Sequence, residues 1–98
     1  MKLLEFIDNG FVVFDFDGYD TGADLLDIIG VIRSQINPEE IQSIGMTDMK
    51  GHFIKKNIKV LFEHNQWTGN TLSYDVGNEE NLKLVRQWVN IVFDKVNC

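Results

Sequence analysis

Asp15, Asp17, Asp20, Asp24 and Asp27 place five carboxylates within residues 15–27. The first two close an apolar run, Phe11-Val12-Val13-Phe14-Asp15-Phe16-Asp17-Gly18. Neighbouring carboxylates can divide labour as nucleophile and general acid, or share a hard divalent cation. Gly18 permits the sharp turn that oxygen ligands from consecutive residues need. Ca²⁺ or Mg²⁺ would therefore be the metals to consider. The spacing is not that of an EF-hand loop, which wants glycine at position 6 and a bidentate glutamate at position 12. Counted from Asp15, those positions hold Asp20 and Leu26. Asp24 also suits the first turn of a helix, where a negative charge opposes the helix dipole.

An apolar strand ending in Asp15-Phe16-Asp17-Gly18 resembles the first motif of the haloacid-dehalogenase-like phosphatases. The resemblance covers about ten residues of the 98. It implies Asp15 as nucleophile, Asp17 as general acid, and Mg²⁺ held between them and a later acidic pair. It also implies a parallel α/β sheet. Three features depart from that pattern. Tyr19 follows Gly18 where threonine is usual, and no Asp-Asp or Gly-Asp-x-x-x-Asp element occurs downstream. Crossover helices for a parallel sheet also exceed what this length supplies. A Mg-dependent phosphatase-like site at Asp15 and Asp17 is thus a minor alternative, and the expectation is a chain that is not an enzyme.

Other chemistries find less support. His52 and His64 are the only histidines, with no Cys-x-x-Cys or His-x-x-x-His to complete a tetrahedral shell. Glu63 and His64 would point to opposite faces of a strand, which separates them as an acid–base pair. Ser34, Ser43 and Ser73 lie in no nucleophile elbow, and no glycine-rich phosphate loop occurs. Cys98 is the single cysteine, so it forms no internal disulfide. With no bilayer-length apolar run and no signal-peptide core at the start, this fits a reducing cytoplasm. No cofactor and no metal are expected.

Charge points to a partner instead. Residues 1–49 set Lys2 and Arg33 against ten acids, a net of −8, and residues 50–98 set seven bases against five acids, a net of +2. A chain with a net charge of −6 and such an acidic half repels nucleic-acid phosphates and anionic membranes, and steers a basic partner toward itself. The basic segment Lys50, His52, Lys55, Lys56 and Lys59 lacks arginine. It reads as lysine protecting strand edges, not as a nucleic-acid patch.

The elements that must position these groups follow from periodicity. Asn9-Gly10 between two apolar runs is a strong hairpin signal, because both turn residues need φ > 0. It joins strands at 3–8 and 11–17, with Leu3, Glu5 and Ile7 on one face beside Val12, Phe14 and Phe16. Leu4, Phe6 and Asp8 then share the other face with Phe11, Val13 and Asp15. Two apolar faces suggest a central hairpin, with Asp15 and Asp17 at the sheet margin. Asp20 or Thr21 can cap a helix whose stripe is Leu25, Ile28, Ile29, Ile32 and Ile36, ending before Asn37-Pro38. Gly30 would admit close packing of this helix on the sheet. A strand at 41–49, a turn at Lys50-Gly51 and a strand at 57–64 follow. A turn at 66–70 leads to a strand with Leu72, Tyr74 and Val76 buried. Gly77-Asn78-Glu79-Glu80 opens a last helix with the stripe Leu82, Val85, Val89, Val92 and Val96, widened by Trp88 and Phe93. A tryptophan at a hairpin tip, such as Trp67, most often folds back onto the sheet; otherwise it meets a partner.

The sequence therefore predicts one α+β domain over residues 1–98: an antiparallel sheet of about five strands, order β-β-α-β-β-β-α, with two amphipathic helices packed on one face. Its function is read as protein binding, with Asp15, Asp17, Tyr19, Asp20, Asp24, Asp27 and Trp67 as the partner surface. Small acidic bacterial immunity proteins, which neutralise basic nuclease-type toxins, are similar in size and charge. That similarity implies an inhibitor whose carboxylates occlude a basic active site. The alternative is a regulatory or adaptor domain. The sequence leaves oligomeric state open.

Overall fold

In the computed structural model, which describes residues 1–44 and 49–98, Asn9 and Gly10 take φ values of 51° and 80°. They close a two-residue hairpin between β1 (Lys2–Asp8) and β2 (Phe11–Asp17). The register pairs Asp8 with Phe11, Glu5 with Phe14 and Leu3 with Phe16, so the expected division of faces holds. The hairpin is not central, however. The six strands run β1-β2-β6-β5-β4-β3, with β3 at Glu40–Ile44, β4 at Lys50–Lys55, β5 at Ile58–Asn65 and β6 at Gly69–Asp75. Of its two strands, β2 lies inside the sheet and β1 forms an edge. The apolar second face of β1 does not signal burial.

Every strand pair is antiparallel. The parallel sheet implied by the phosphatase resemblance is therefore not this fold. The sheet has one strand more than expected, because Lys50 and Gly51 lie in β4 and not in a turn. The turn falls instead at Lys56-Asn57, both with positive φ (53° and 63°). Lysine rarely takes that conformation, so its sequence gives little turn signal. The expected strand at 41–49 is seen as far as Ile44; residues 45–48 lie outside the described residues.

Thr21 caps α1 (Gly22–Val31) by accepting from the Asp24 N–H at 3.0 Å, while Asp24 Oδ2 accepts from the Thr21 N–H at 3.1 Å. These reciprocal bonds satisfy donors that a helix start otherwise leaves open. Ile32–Ile36 continues the helix as a π-helical turn that ends at Asn37 in the left-handed conformation. Gly30 is solvent-exposed with open space where a Cβ would be, so it makes no close approach to the sheet. Asn78 caps α2 (Glu79–Val96), accepting from the Asn81 N–H at 3.0 Å.

Both helices cover one face of the sheet. Phe14, Phe16, Phe53, Val60, Phe62 and Leu72 from the strands interlock with Leu25, Ile28, Ile32, Val85, Val89 and Val92 from the helices, all at 2% exposure or less. Trp88 joins this core as expected, tilted against Phe53 with centroids 6.0 Å apart. Val76 falls past the end of β6 and is exposed. Among the described residues, no helix is long and apolar enough to cross a membrane.

Candidate functional site

Residues 15–21 and the tip joining β5 to β6 meet at one end of the sheet. Asn65 shapes the tip: its Oδ1 accepts from the Trp67 N–H at 2.8 Å, fixing the turn locally. Gly69, with φ +86°, ends the turn. A Cβ at Gly69 would sit 2.6 Å from Asp20 Oδ1, so only glycine lets the Asp20 carboxylate approach there.

Asn70, fully buried, ties the two segments together. Its Nδ2 donates to the Tyr19 carbonyl at 2.8 Å and the Thr21 carbonyl at 2.9 Å. Its Oδ1 stands 2.7 Å from His64 Nδ1. Because the amide nitrogen donates to two carbonyls, Oδ1 must accept, and His64 therefore carries a proton on Nδ1. This buried polar clamp was not foreseen. Continuing the Ile58-Val60-Phe62 alternation by one step puts His64 inside, and that was its one sequence signal; Asn70 reads as a turn residue until the strand is seen to begin at Gly69.

The predicted partner residues divide into two groups. Tyr19, Asp24 and Asp27 make hydrogen bonds within the chain. Asp24 completes the α1 cap, and the Tyr19 hydroxyl donates to Asp27 Oδ2 at 2.8 Å. Burial first, then that hydrogen bond and the charges of Asp27 and Asp24, push the Tyr19 phenol up to about 12. Asp17 and Asp20 are exposed. Asp15 is half-buried on the sheet face away from the helices, and its Oδ1 is buried with no hydrogen-bond partner among the described residues. Burial raises its carboxyl above the ordinary 3.8, and the charges of Asp17 and Asp20 add to the shift. Asp15 thus lies within the sheet face and not merely at its margin. Trp67 does not fold back: it is 85% exposed, because the Asn65 turn holds its backbone clear of the sheet.

The helix-free face places Asp15 in a row with Leu4, Thr71, Glu63 and Lys50 across five strands. Lys50 Nζ lies 3.4 Å from Glu63 Oε2. A parallel row carries Phe6, Val13, Ser73 and Leu61. All of these except Leu4 line an open groove of about 700 Å³, where Phe6, Val13 and Leu61 stand beside the charged Asp15, Glu63 and Lys50. Among the described residues, no three His, Cys, Asp or Glu side chains converge on a point that could hold a metal ion. The arrangement is suited to receiving cationic and apolar groups. Compared with protein-family models, curated proteins and solved structures, the chain matches none of them.

Proposed function

We propose that this chain is a small acidic protein-binding domain whose partner is basic, with an immunity-type inhibitor of a nuclease-like toxin as its specific form. The observation that carries the reading is Trp67, 85% exposed at the tip that abuts Asp20. A large ring held in water by a backbone turn contributes nothing to the core. Tryptophan is among the residues that dominate binding energy when a partner desolvates it. Asp15, Asp17 and Asp20 surround that end with negative charge, and the net of −8 over residues 1–49 extends the field. Steering accelerates encounter with a basic surface, and the carboxylates then take the place of substrate phosphates in a basic active site.

The test begins with affinity capture by the wild-type chain, followed by association kinetics of every retained protein with the wild type and with Asp17→Lys/Asp20→Lys. The expected partner is basic, associates at least about tenfold more slowly with the double variant at low salt, and loses affinity as salt shortens the Debye length. Trp67→Ala should act on dissociation instead. A captured nuclease that is inhibited at equimolar ratio supports the inhibitor form; a captured protein without such activity favours the adaptor form. If the double variant associates as fast as wild type, the acidic end is solubilising surface and the reading fails.

A further inference from the structure

Among the described residues β1 ends the sheet, and no strand lies beside one side of its backbone. The phase of its hydrogen bonds identifies which groups face outward. In a two-residue hairpin the closing residues, Asp8 and Phe11, exchange both backbone bonds, and the pattern alternates from there. The Val76 N–H bond to the Gly10 carbonyl (3.0 Å) confirms the phase, since it sends the even residues of β2 toward β6 and the odd ones toward β1. On β1 the even residues Lys2, Leu4, Phe6 and Asp8 consequently bond to β2. Leu3, Glu5 and Ile7 direct their N–H and C=O groups into solvent. Natural edges are usually blunted by bulges, prolines, short length or charged side chains, and β1 carries Lys2, Glu5 and Asp8. β1 is seven residues long, pairs without a bulge, and exposes Leu4 (42%), Phe6 (47%) and Ile7 (68%).

We propose that β1 is a self-association edge: two copies of this chain pair β1 against β1, antiparallel, about a two-fold axis at Glu5. The chain's own sequence selects that register. Centred on Glu5, Lys2 lies opposite Asp8 of the second copy, Leu4 opposite Phe6, and Leu3 opposite Ile7. Centring on Leu4 would shorten the overlap and set Lys2 against Phe6; centring on Phe6 would set Asp8 against Leu4. The Glu5 register alone pairs the whole strand and matches both charges. It also places Leu3, Glu5 and Ile7 in hydrogen-bonded pairs, using every outward backbone group. Leu4/Phe6 and Lys2/Asp8 fall at the non-hydrogen-bonded positions, where side chains approach most closely. Glu5 meets its own copy at the axis, but each Glu5 is held by Arg86 of α2 in a bidentate pair, Nη2 to Oε2 at 2.7 Å. That guanidinium offsets the like-charge contact. The result is one continuous sheet of both copies, with Leu4 and Phe6 side by side across the seam.

Sedimentation velocity over a concentration series tests this without any partner. The wild type is expected to shift from monomer to dimer as concentration rises. Lys2→Asp alone sets Asp against Asp8, and Asp8→Lys alone sets Lys against Lys2, so each should self-associate at least about tenfold more weakly. Mixed together, the two variants place opposite charges at both ends, and the heterodimer should regain wild-type affinity. Both positions are exposed and outside the core, so folding is preserved. Amide exchange reads the backbone separately: Leu3, Glu5 and Ile7 should gain protection with concentration, while Leu4 and Phe6 should not change. A wild type that stays monomeric throughout, or a mixture that associates no better than either variant alone, overturns the proposal.

Discussion

The two faces of the sheet are made from the same alternating strands and end in opposite conditions. Phe14 on the helix side is 2% exposed, while its chain neighbour Val13 lies half-exposed in the open groove. Phe62 and Leu61 repeat the contrast on β5. On the covered face the apolar side chains beneath the helices are removed from water, with Ile7 at the β1 edge left exposed, and buried polar groups pair as in the His64–Asn70 clamp. On the open face Phe6, Phe11, Val13 and Leu61 still meet solvent, and a carboxylate oxygen of Asp15 has no partner among the described residues. Folding buries one face behind the helices and leaves the other open to solvent.

The sharpest way to break that comparison is to truncate one phenylalanine from each face. Phe14→Ala removes a ring sealed in the core and should cost about 3–5 kcal/mol. Phe6→Ala removes a ring that is 47% exposed; its cost should stay within about 1 kcal/mol. Urea unfolding of both variants reads the difference directly. Equal costs would mean that the open face is as much a core as the covered one.

Next in size is Asn70→Ala. It would leave the Tyr19 carbonyl and His64 Nδ1–H without these partners, while the Thr21 carbonyl would keep only the Leu25 N–H. Stranded buried groups cost about 1–3 kcal/mol each, less where water enters, so a loss of at least about 2 kcal/mol is expected in urea unfolding. The loss should extend to partner binding, because this clamp is what holds the acidic loop against the Trp67 tip. A variant that is destabilised yet binds normally would separate the clamp from the binding end.

How far the sequence reveals these features depends on whether the cause is local. Asn9-Gly10 dictates its turn by backbone sterics alone, and the Thr21 cap needs only Asp24 three residues on, so both are legible. The stripes of both helices and the placement of Trp88 follow from period. β4 escapes because Lys56-Asn57 turns without glycine, under the compulsion of strands paired on either side. The edge position of β1 is equally hidden: Leu4 and Phe6 look like core until the topology pairs β2 with β6 and, among the described residues, sets no strand beyond β1. In the candidate site, the carboxylates are legible as a cluster, but their separate roles are not. Asp24 is separable by its place in the first helical turn, but Asp27 is told from Asp15 only when its bond from the Tyr19 hydroxyl is known.

Thr21→Ala is expected to cost about 1 kcal/mol, since it removes the side-chain acceptor from the start of α1. Thermal unfolding should register this as a drop in Tm of roughly 4–8 °C for a domain of this size. Asp20→Ala, one residue earlier, should leave Tm nearly unchanged while weakening partner association. The pair would sharpen the line between an acidic loop that caps a helix and one that faces a partner; a large Tm loss for Asp20→Ala would erase it.

The smallest expected effect is a gain. Burial and the charges of Asp17 and Asp20 hold the Asp15 carboxyl above its ordinary 3.8. The folded chain thus binds this proton more tightly than the unfolded chain does. That contribution to stability is fully present below pH 3.8 and is lost as pH rises through the folded value, so ionised Asp15 works against folding at neutral pH. Asp15→Asn keeps the shape and removes the charge. It should raise Tm at pH 7 by about 1–3 °C, the gain shrinking as the buffer is acidified toward the ordinary carboxylate range. The same variant should bind a basic partner more weakly, because the partner's cation is what would satisfy the open oxygen. Stability and binding moving in opposite directions is the signature of a residue kept for its surface role. A lower Tm at pH 7 would instead mean that Asp15 supports the fold.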